Sequence, residues 1–389
     1  MKTGTNFFET LLNAINAISG YGYLAMPFAL AQGGWLSLAA LLTIAAICAY
    51  TALLLKRCME SNSLVKTYPD VGELAFGSKG RILMTLLMNI ELYFTVIGML
   101  IIEGDNIGRI FPFHIAGLNI KAKQAFVALV ALILLPTTWP KNLRILSYLS
   151  LGSILVSFFV LSSVFWVGAV DGVGFNEKGE IFNFSGMPTT LSLFVFSYGG
   201  HTIMPTIFSS MENPANVTII FAIAFTLCTI HYVLMGIIGY LMFGEETNSI
   251  ITLNLPTNLV ASKIATWTVI AVPVVKYALA IMPVINSLEE LFKIEGRVNS
   301  ILLRTSVVIS TAVIAIAAPF FVYVISLTGS LITGAATIFL PCFCYLKIFS
   351  SAKQRGAETM VIFCIIVVGV IVSLSGTYVS IKNIVKDID

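Results

Sequence analysis

Eleven stretches of roughly twenty apolar residues follow one another along almost the whole of this chain. An α-helix rises about 1.5 Å per residue and pairs its own backbone groups, so a run of that length fits a hydrocarbon core about 30 Å thick. The expected segments are 7–32, 34–57, 82–102, 124–139, 145–170, 188–210, 215–243, 264–288, 301–320, 323–346 and 359–381. Composition agrees, with 58% of the 389 residues hydrophobic and 11% charged, against about 25% charged in soluble domains. The expected class is an all-α polytopic membrane protein, one transmembrane domain over residues 1–389 whose solvent is the lipid bilayer. A net charge of +3 without a basic stripe gives no reason to expect nucleic acid. The six cysteines lie in or beside apolar runs without metal-site spacing, so neither a disulfide framework, a metal nor a cofactor is expected. The N-terminus has no basic leader and no A-x-A-like site, and is not expected to be a cleaved signal.

Orientation follows from Lys and Arg. With a cytosolic N-terminus, fourteen of them fall in inner segments: Lys2, Lys56, Arg57, Lys66, Lys79, Arg81, Lys141, Arg144, Lys293, Arg297, Arg304, Lys347, Lys353 and Arg355. Seven fall outside, namely Arg109, Lys121, Lys123, Lys178, Lys263, Lys382 and Lys386. That bias obeys the positive-inside rule, and an odd number of spans puts the termini on opposite sides. The polar insert 171–186 is then extracytoplasmic, with a glycosylation sequon at Asn183 close to the next span.

Two of the segments are interrupted. Gly22–Pro27 reads G-Y-L-A-M-P and Gly200–Pro205 reads G-H-T-I-M-P, so both have the form G-x-x-x-M-P. Tyr21 and Tyr198 stand just before or near the leading glycines. The copies open the first and sixth segments, which enter from opposite sides. Glycine permits non-helical backbone and proline withholds an amide, so Pro27 and Pro205 mark the helix breaks. Proline kinks alone would explain either break singly. Two matched breaks in two halves point to an inverted repeat with a substrate site near the midplane, where half-helix termini face a ligand. On the first half-helix Glu9, Asn13, Asn16 and Gly20 share one face, which suits either a cytosolic permeation path or interhelical packing.

The stretches GYGYLAMPFALAQGGW, TYPDVGELAFGSKGR, ELYFTVIGMLIIEGDN, FSYGGHTIMPTIFSSMENP, GYLMFGEETNSIITLNLP and VVKYALAIMPVINSLEEL together resemble the amino acid/auxin permease family, plant vacuolar amino-acid transporters above all. The likeness covers nearly the whole chain in consistent order. It implies an eleven-span protein with a leucine-transporter-type 5+5 inverted repeat. The first repeat would span about 7–170 and the second about 188–346, with one extra helix at about 359–381. It also implies proton-linked amino-acid transport, and favours a vacuolar over a plasma membrane. Two features depart from the family: tyrosines Tyr21 and Tyr23 within and after the G-x-G, where relatives have small or aliphatic residues, and a very short polar N-terminal tail.

Lys276 lies inside the eighth segment, where a central lysine costs about 2.5–3.5 kcal/mol on insertion scales. Sodium-coupled members of the implied fold hold sodium between the first and eighth helices. The Lys276 ammonium is expected to take that place, contacting carbonyls freed at Ser19–Gly22; a permanent structural charge is the alternative. Glu91, inside the third segment, is expected to carry protons or to serve as a fixed hydrogen-bond or ion-pair partner, with Lys276 a candidate mate. The expected substrate site comprises Ser19, Gly20, Tyr21, Gly22, Tyr23, Phe194, Tyr198, Gly199, Gly200 and His201. Amides near Gly20–Gly22 would hold a carboxylate, and carbonyls near Tyr198–Gly200 an amino group. His201 would contact substrate or brace its break. Tyr93 and Phe94 are further candidate pocket residues, His231 an interhelical hydrogen-bonder, and Gly329, Ser330, Thr333 and Gly334 a close-packing face. The expected function is secondary active transport of small, neutral amino acids with protons, and the chain is not expected to be an enzyme. A sodium-coupled symporter and an amino-acid sensor using the same site are the alternatives.

Overall fold

The structure, a computed structural model, describes residues 4–115, 120–139, 149–317, 320–350 and 356–388. Lys2, Lys141, Arg144, Lys353 and Arg355 of the charge count lie outside these, as do the parts of two expected spans at 145–148 and 318–319. The chain begins with α1 (Phe7–Ile18), a 3-10 turn (Tyr21–Ala25), α2 (Met26–Gly33), α3 (Ser37–Glu60) and α4 (Tyr68–Ile110). Then come α5 (Ala122–Leu134), α6 (Leu149–Ala169), α7 (Met187–Ser197), α8 (Met204–Ser209) and α9 (Val217–Phe243). The last are α10 (Val260–Leu291), α11 (Arg297–Ala317), α12 (Phe321–Leu327), α13 (Leu340–Ile348) and α14 (Gly356–Ile388). Two antiparallel strands of two residues, His114–Ile115 and Ile120–Lys121, form the one sheet among the described residues. Seven described helices are long and apolar enough to cross a membrane, and four shorter apolar helices accompany them. This is a helical multi-pass membrane protein.

The helix boundaries follow local chemistry. Asn6 caps α1, accepting from Glu9 N at 2.9 Å while its own N–H donates to Glu9 Oε2 at 3.1 Å. Thr67 and Asp70 cap α4 in the same way. That helix runs well beyond the expected 82–102, because the polar stretch before it is helical too. Gly77, at φ 68°, turns the chain between the two parts, a backbone that residues with a Cβ rarely adopt. Arg81 then joins across the turn to Asp70 at 2.8 Å and Glu73 at 2.5 Å. Arg304, expected at a span's cytosolic end, lies within α11, 1% exposed, with its Nε 2.9 Å from Glu289 Oε1.

α12 continues into π-helical backbone over Thr328–Thr333 and Ala335–Phe339 before α13. Such stretches occur mostly as short bulges at functional places. Buried residues concentrate on the broken segments, including every residue from Tyr21 to Ala25 and from Ser192 to Ser197. Leu132, Phe159, Phe363 and Leu374 are more than half exposed on the periphery, the reverse of a soluble protein and the arrangement that lipid favours. α2 packs on α7 and α9, and α7 lies between α2, the π-helical segment and α14. The two interruptions therefore meet at the centre.

Candidate substrate site between two broken helices

Both interruptions are built alike. α1 ends at Ser19, a 3-10 turn follows, and Met26-Pro27 opens α2; α7 ends at Tyr198, a turn follows, and Met204-Pro205 opens α8. Each proline sits in the first turn of the new helix, where its missing N–H leaves no hydrogen bond unmade. The prolines thus start the second half-helices, and the residues before them carry the gap.

The two gaps touch. A Cβ on Gly200 would stand 2.8 Å from Ala17 O, and one on Gly22 would stand 2.9 Å from the Ser197 Cα, so both positions exclude side chains. Gly20 differs: it is partly exposed, and a Cβ there would meet nothing within 4 Å. Glu9 is exposed and Asn13 and Asn16 partly so, while Thr10, Ala14 and Ile18 on the opposite face are buried. Glu9, Asn13, Asn16 and Gly20 therefore lie on the less buried side of α1.

Lys276 reaches the space beside Gly20 from α10. Its Nζ donates to Ser19 O at 3.3 Å and stands 5.7 Å above the centre of the Tyr21 ring. The ammonium thereby occupies the end of the α1 half-helix, where the macrodipole and freed carbonyls favour a cation. Glu91 is not its mate. The Glu91 Oε2 accepts the Thr202 hydroxyl at 3.0 Å, and a Cβ on Gly199 would lie 3.2 Å from its Oε1, which places Glu91 against the second break. Among the described residues no ion pair joins Glu91 to Lys276.

The remaining expected residues divide between the space and its frame. The Tyr21 hydroxyl is buried with no partner. Tyr23 turns away, its ring 5.3 Å from that of His231 in an edge contact. His231 makes no hydrogen bond through either ring nitrogen; it packs among Tyr23, Phe158 and Tyr232 instead. Phe194 is fully enclosed, and the Tyr198 hydroxyl meets Thr229 Oγ1 at 2.8 Å. His201 points into α3, where its Nε2 lies 3.0 Å from Cys48 O and 3.1 Å from Thr51 Oγ1. A carbonyl only accepts, so that nitrogen carries the proton. Gly20 N–H already donates to Ile18 O at 2.9 Å, and Gly200 O accepts from Ile203 and Met204, so these groups are engaged in this conformation. Tyr93 binds Ser310 Oγ at 2.7 Å, on α11 rather than at the breaks.

Sequence reasoning missed Tyr232. Its hydroxyl lies 3.0 Å from Ile18 O and 2.8 Å from Ser197 O, the carbonyls at the ends of both first half-helices. One proton is shared between two freed acceptors, and the two breaks are tied together. A tyrosine inside a span raises no charge alarm, so only its neighbour His231 marked the place. Thr202, adjacent to the expected His201, is the residue that engages Glu91.

The whole chain carries a match to known proteins. Residues 3–382 fit the family described as "Transmembrane amino acid transporter protein". The chain belongs to that family. Members of the transmembrane amino acid transporter family are transporters, not enzymes. The chain is 45% identical to "Amino acid transporter AVT1I" of Arabidopsis thaliana, over 99% of this chain and 96% of that one. It is 42% identical to AVT1J of the same plant, over 98% and 92%. A "Vesicular inhibitory amino acid transporter" of Xenopus tropicalis is 27% identical over 97% of this chain and 77% of its own length. In fold, the chain resembles MhsT, solved with L-phenylalanine, at a TM-score of 0.59 and 12% identity, covering 96% of this chain and all of that one. This member of the family therefore has an MhsT-like fold with its two broken helices at the centre.

Proposed function

We propose that the protein is a secondary active transporter that carries small, neutral amino acids across a membrane together with protons. The observation that carries this reading is the meeting of two broken helices at Gly22–Ser197 and Gly200–Ala17, with open space at Gly20 and the Lys276 ammonium on Ser19 O. The substrate carboxylate sits by the first break, at amides of Gly20–Gly22 released from their present bonds, and its amino group by carbonyls near Tyr198–Gly200. Alternating access rocks helices about this place, as in transporters built from inverted repeats. In this reading the chain has eleven spans in a 5+5 inverted repeat plus one helix, and the N-terminus is cytosolic. The Glu9–Gly20 stripe is then the cytosolic path. The names of the Arabidopsis relatives support amino-acid transport, and the family likeness favours the vacuolar membrane.

Lys276 supports proton over sodium coupling. A side-chain cation at the end of the first half-helix competes with a sodium ion for the same carbonyls. The test is uptake into proteoliposomes in sodium-free buffer, driven by an imposed pH gradient and run across the twenty amino acids. Concentrative uptake of small neutral amino acids is the expected result. Uptake that needs sodium would transfer the reading to a sodium symporter, and saturable binding without flux would make the protein a sensor.

A further inference from the structure

Neither break accounts for Glu103. It lies twelve residues after Glu91 on α4, about 18 Å further along the helix. Its side chain is 1% exposed, it joins none of the ion pairs among the described residues, and its enclosed Oε1 has no hydrogen-bond partner. Glu91 differs, since a threonine hydroxyl satisfies it. The Tyr21 hydroxyl lies within electrostatic reach of Glu103 and likewise has no hydrogen-bond partner. The ring of that tyrosine underlies Lys276. Tyr21 is thus within reach of both the buried carboxyl and the cation at the first break.

The surrounding charges are committed elsewhere. Asp105 pairs with Lys123 of α5, and Lys263 of α10 is exposed. Tyr23 faces His231, and Lys276 bonds Ser19 O. Arg109 donates to Thr252 O at 2.6 Å and Leu255 O at 2.9 Å, and Thr252 Oγ1 donates to Asn106 Oδ1 at 2.6 Å. Asn106 and Arg109 follow Glu103 by one and two turns, so these bonds latch the segment Ile251–Leu253 onto α4 beside the carboxyl. A pocket of about 460 Å³ is lined by Arg109, Leu255, Ser262, Thr266 and Trp267. The pocket thus reaches Arg109 at the outer edge of the latch, whereas Asn106, Thr252 and Glu103 stay enclosed.

Enclosing a carboxylate without a cation is far more costly than enclosing the neutral acid. We propose that Glu103 carries the coupled proton: the Asn106–Arg109–Thr252 latch closes over the acid and not over the carboxylate. The inference rests on the proton-linked reading and names the residue and the moving part it uses. With the latch open, a proton from water on the Ile110 side adds to a Glu103 carboxylate oxygen. Once the latch is closed and the opposite path open, the proton leaves by the Tyr21 side, toward the water beside Gly20. No other bond forms or breaks. Proton uptake on one side is thereby linked to closure on that side, and the flow runs from the Ile110 end of α4 toward the Glu9 end of α1.

The test uses the full-length protein in sodium-free proteoliposomes with a radiolabelled mixture of the twenty amino acids. Two readouts are compared: exchange at equal pH, and accumulation driven by a pH gradient. Glu103→Gln keeps the shape of the acid and cannot ionise. Its exchange is expected within about twofold of wild type, with gradient-driven accumulation at least about tenfold lower and partly restored in Glu103→Asp. If Glu103→Gln accumulates like wild type, the proposal fails and the proton-linked reading stands. A wild type that ignores the gradient removes both. Should Glu103→Gln transport nothing, the thermal shift induced by the amino-acid mixture decides. A shift that varies between acidic and neutral pH in wild type but not in the variant supports the proposal, and equal variation in both overturns it.

Discussion

At the scale of single residues, two glycines of one motif have opposite duties. Gly22 is excluded from carrying a side chain by Ser197 backbone, whereas Gly20 faces open space. Gly22→Ala must push apart two packed half-helices, so it is expected to lower thermal stability and leave little folded protein in a fluorescence size-exclusion assay. Gly20→Ala is expected to fold like wild type and to raise KM for uptake about tenfold with less effect on stability, because its methyl group enters the substrate space. Equal behaviour of the two variants in both assays would contradict this division. Lys276→Ala removes the cation from Ser19 O and the Tyr21 ring. Uptake by that variant is expected to depend less on pH than wild type, and an unchanged pH profile would show that the ammonium has no coupling role. Much of this was legible in the sequence, since G-x-x-x-M-P and an intramembrane lysine are both costly in lipid. Glu103 was not, because the expected third span stopped at residue 102 while the helix runs to Ile110. A boundary error of a few residues moved a buried acid into an imagined loop.

At the scale of elements, the breaks are held by a neighbour rather than by themselves. Tyr232 on α9 offers one hydroxyl to the last carbonyls of two half-helices. Removing it in Tyr232→Phe takes the hydroxyl donor from Ser197 O and leaves Ile18 O with the Gly20 N–H alone. Hydrogen bonds between spans contribute about 0.6 kcal/mol on average and up to about 1.7 kcal/mol, so a loss near the upper figure is expected in thermal unfolding. Transport should fall more than stability, since both breaks lose their common tie. A variant with wild-type melting and wild-type flux would show the bridge to be idle. The two Met-Pro pairs made the helix starts legible, because proline fits a first turn. The π-helical stretch after α12 was not legible: its backbone is set by what packs on it, including Tyr68, whose hydroxyl donates to Ala336 O at 2.7 Å. α14 likewise finds its seat through Ser373, which donates to Ser330 O at 2.6 Å, and through Ser380 to Ser326 Oγ at 2.9 Å.

At the scale of the whole molecule, the charge bias makes a topological prediction. Tags at the two ends should be labelled from opposite sides of sealed vesicles, the N-terminal one from the cytosolic face, and labelling of both from one side would refute the odd span count. The Asn183 sequon lies on the other face in that arrangement. Asn183 N–H donates to Gly33 O at 3.2 Å, which holds the loop close to the broken helix. By itself the sequence determined the solvent, the helical class, the family and the two interruptions. Each of these is a property of consecutive residues: an apolar run must span lipid, and a Gly-Pro gap must open a helix wherever it lies. Tertiary structure alone decided that Glu91 serves the second break and does not pair with Lys276, that His201 turns toward α3, and that Glu103 is sealed with its Oε1 unpartnered. Those outcomes depend on distances between segments that are more than a hundred residues apart in the chain or lie on different helices, and on which atoms find partners once water is gone. No pattern along one chain encodes a distance across the bundle.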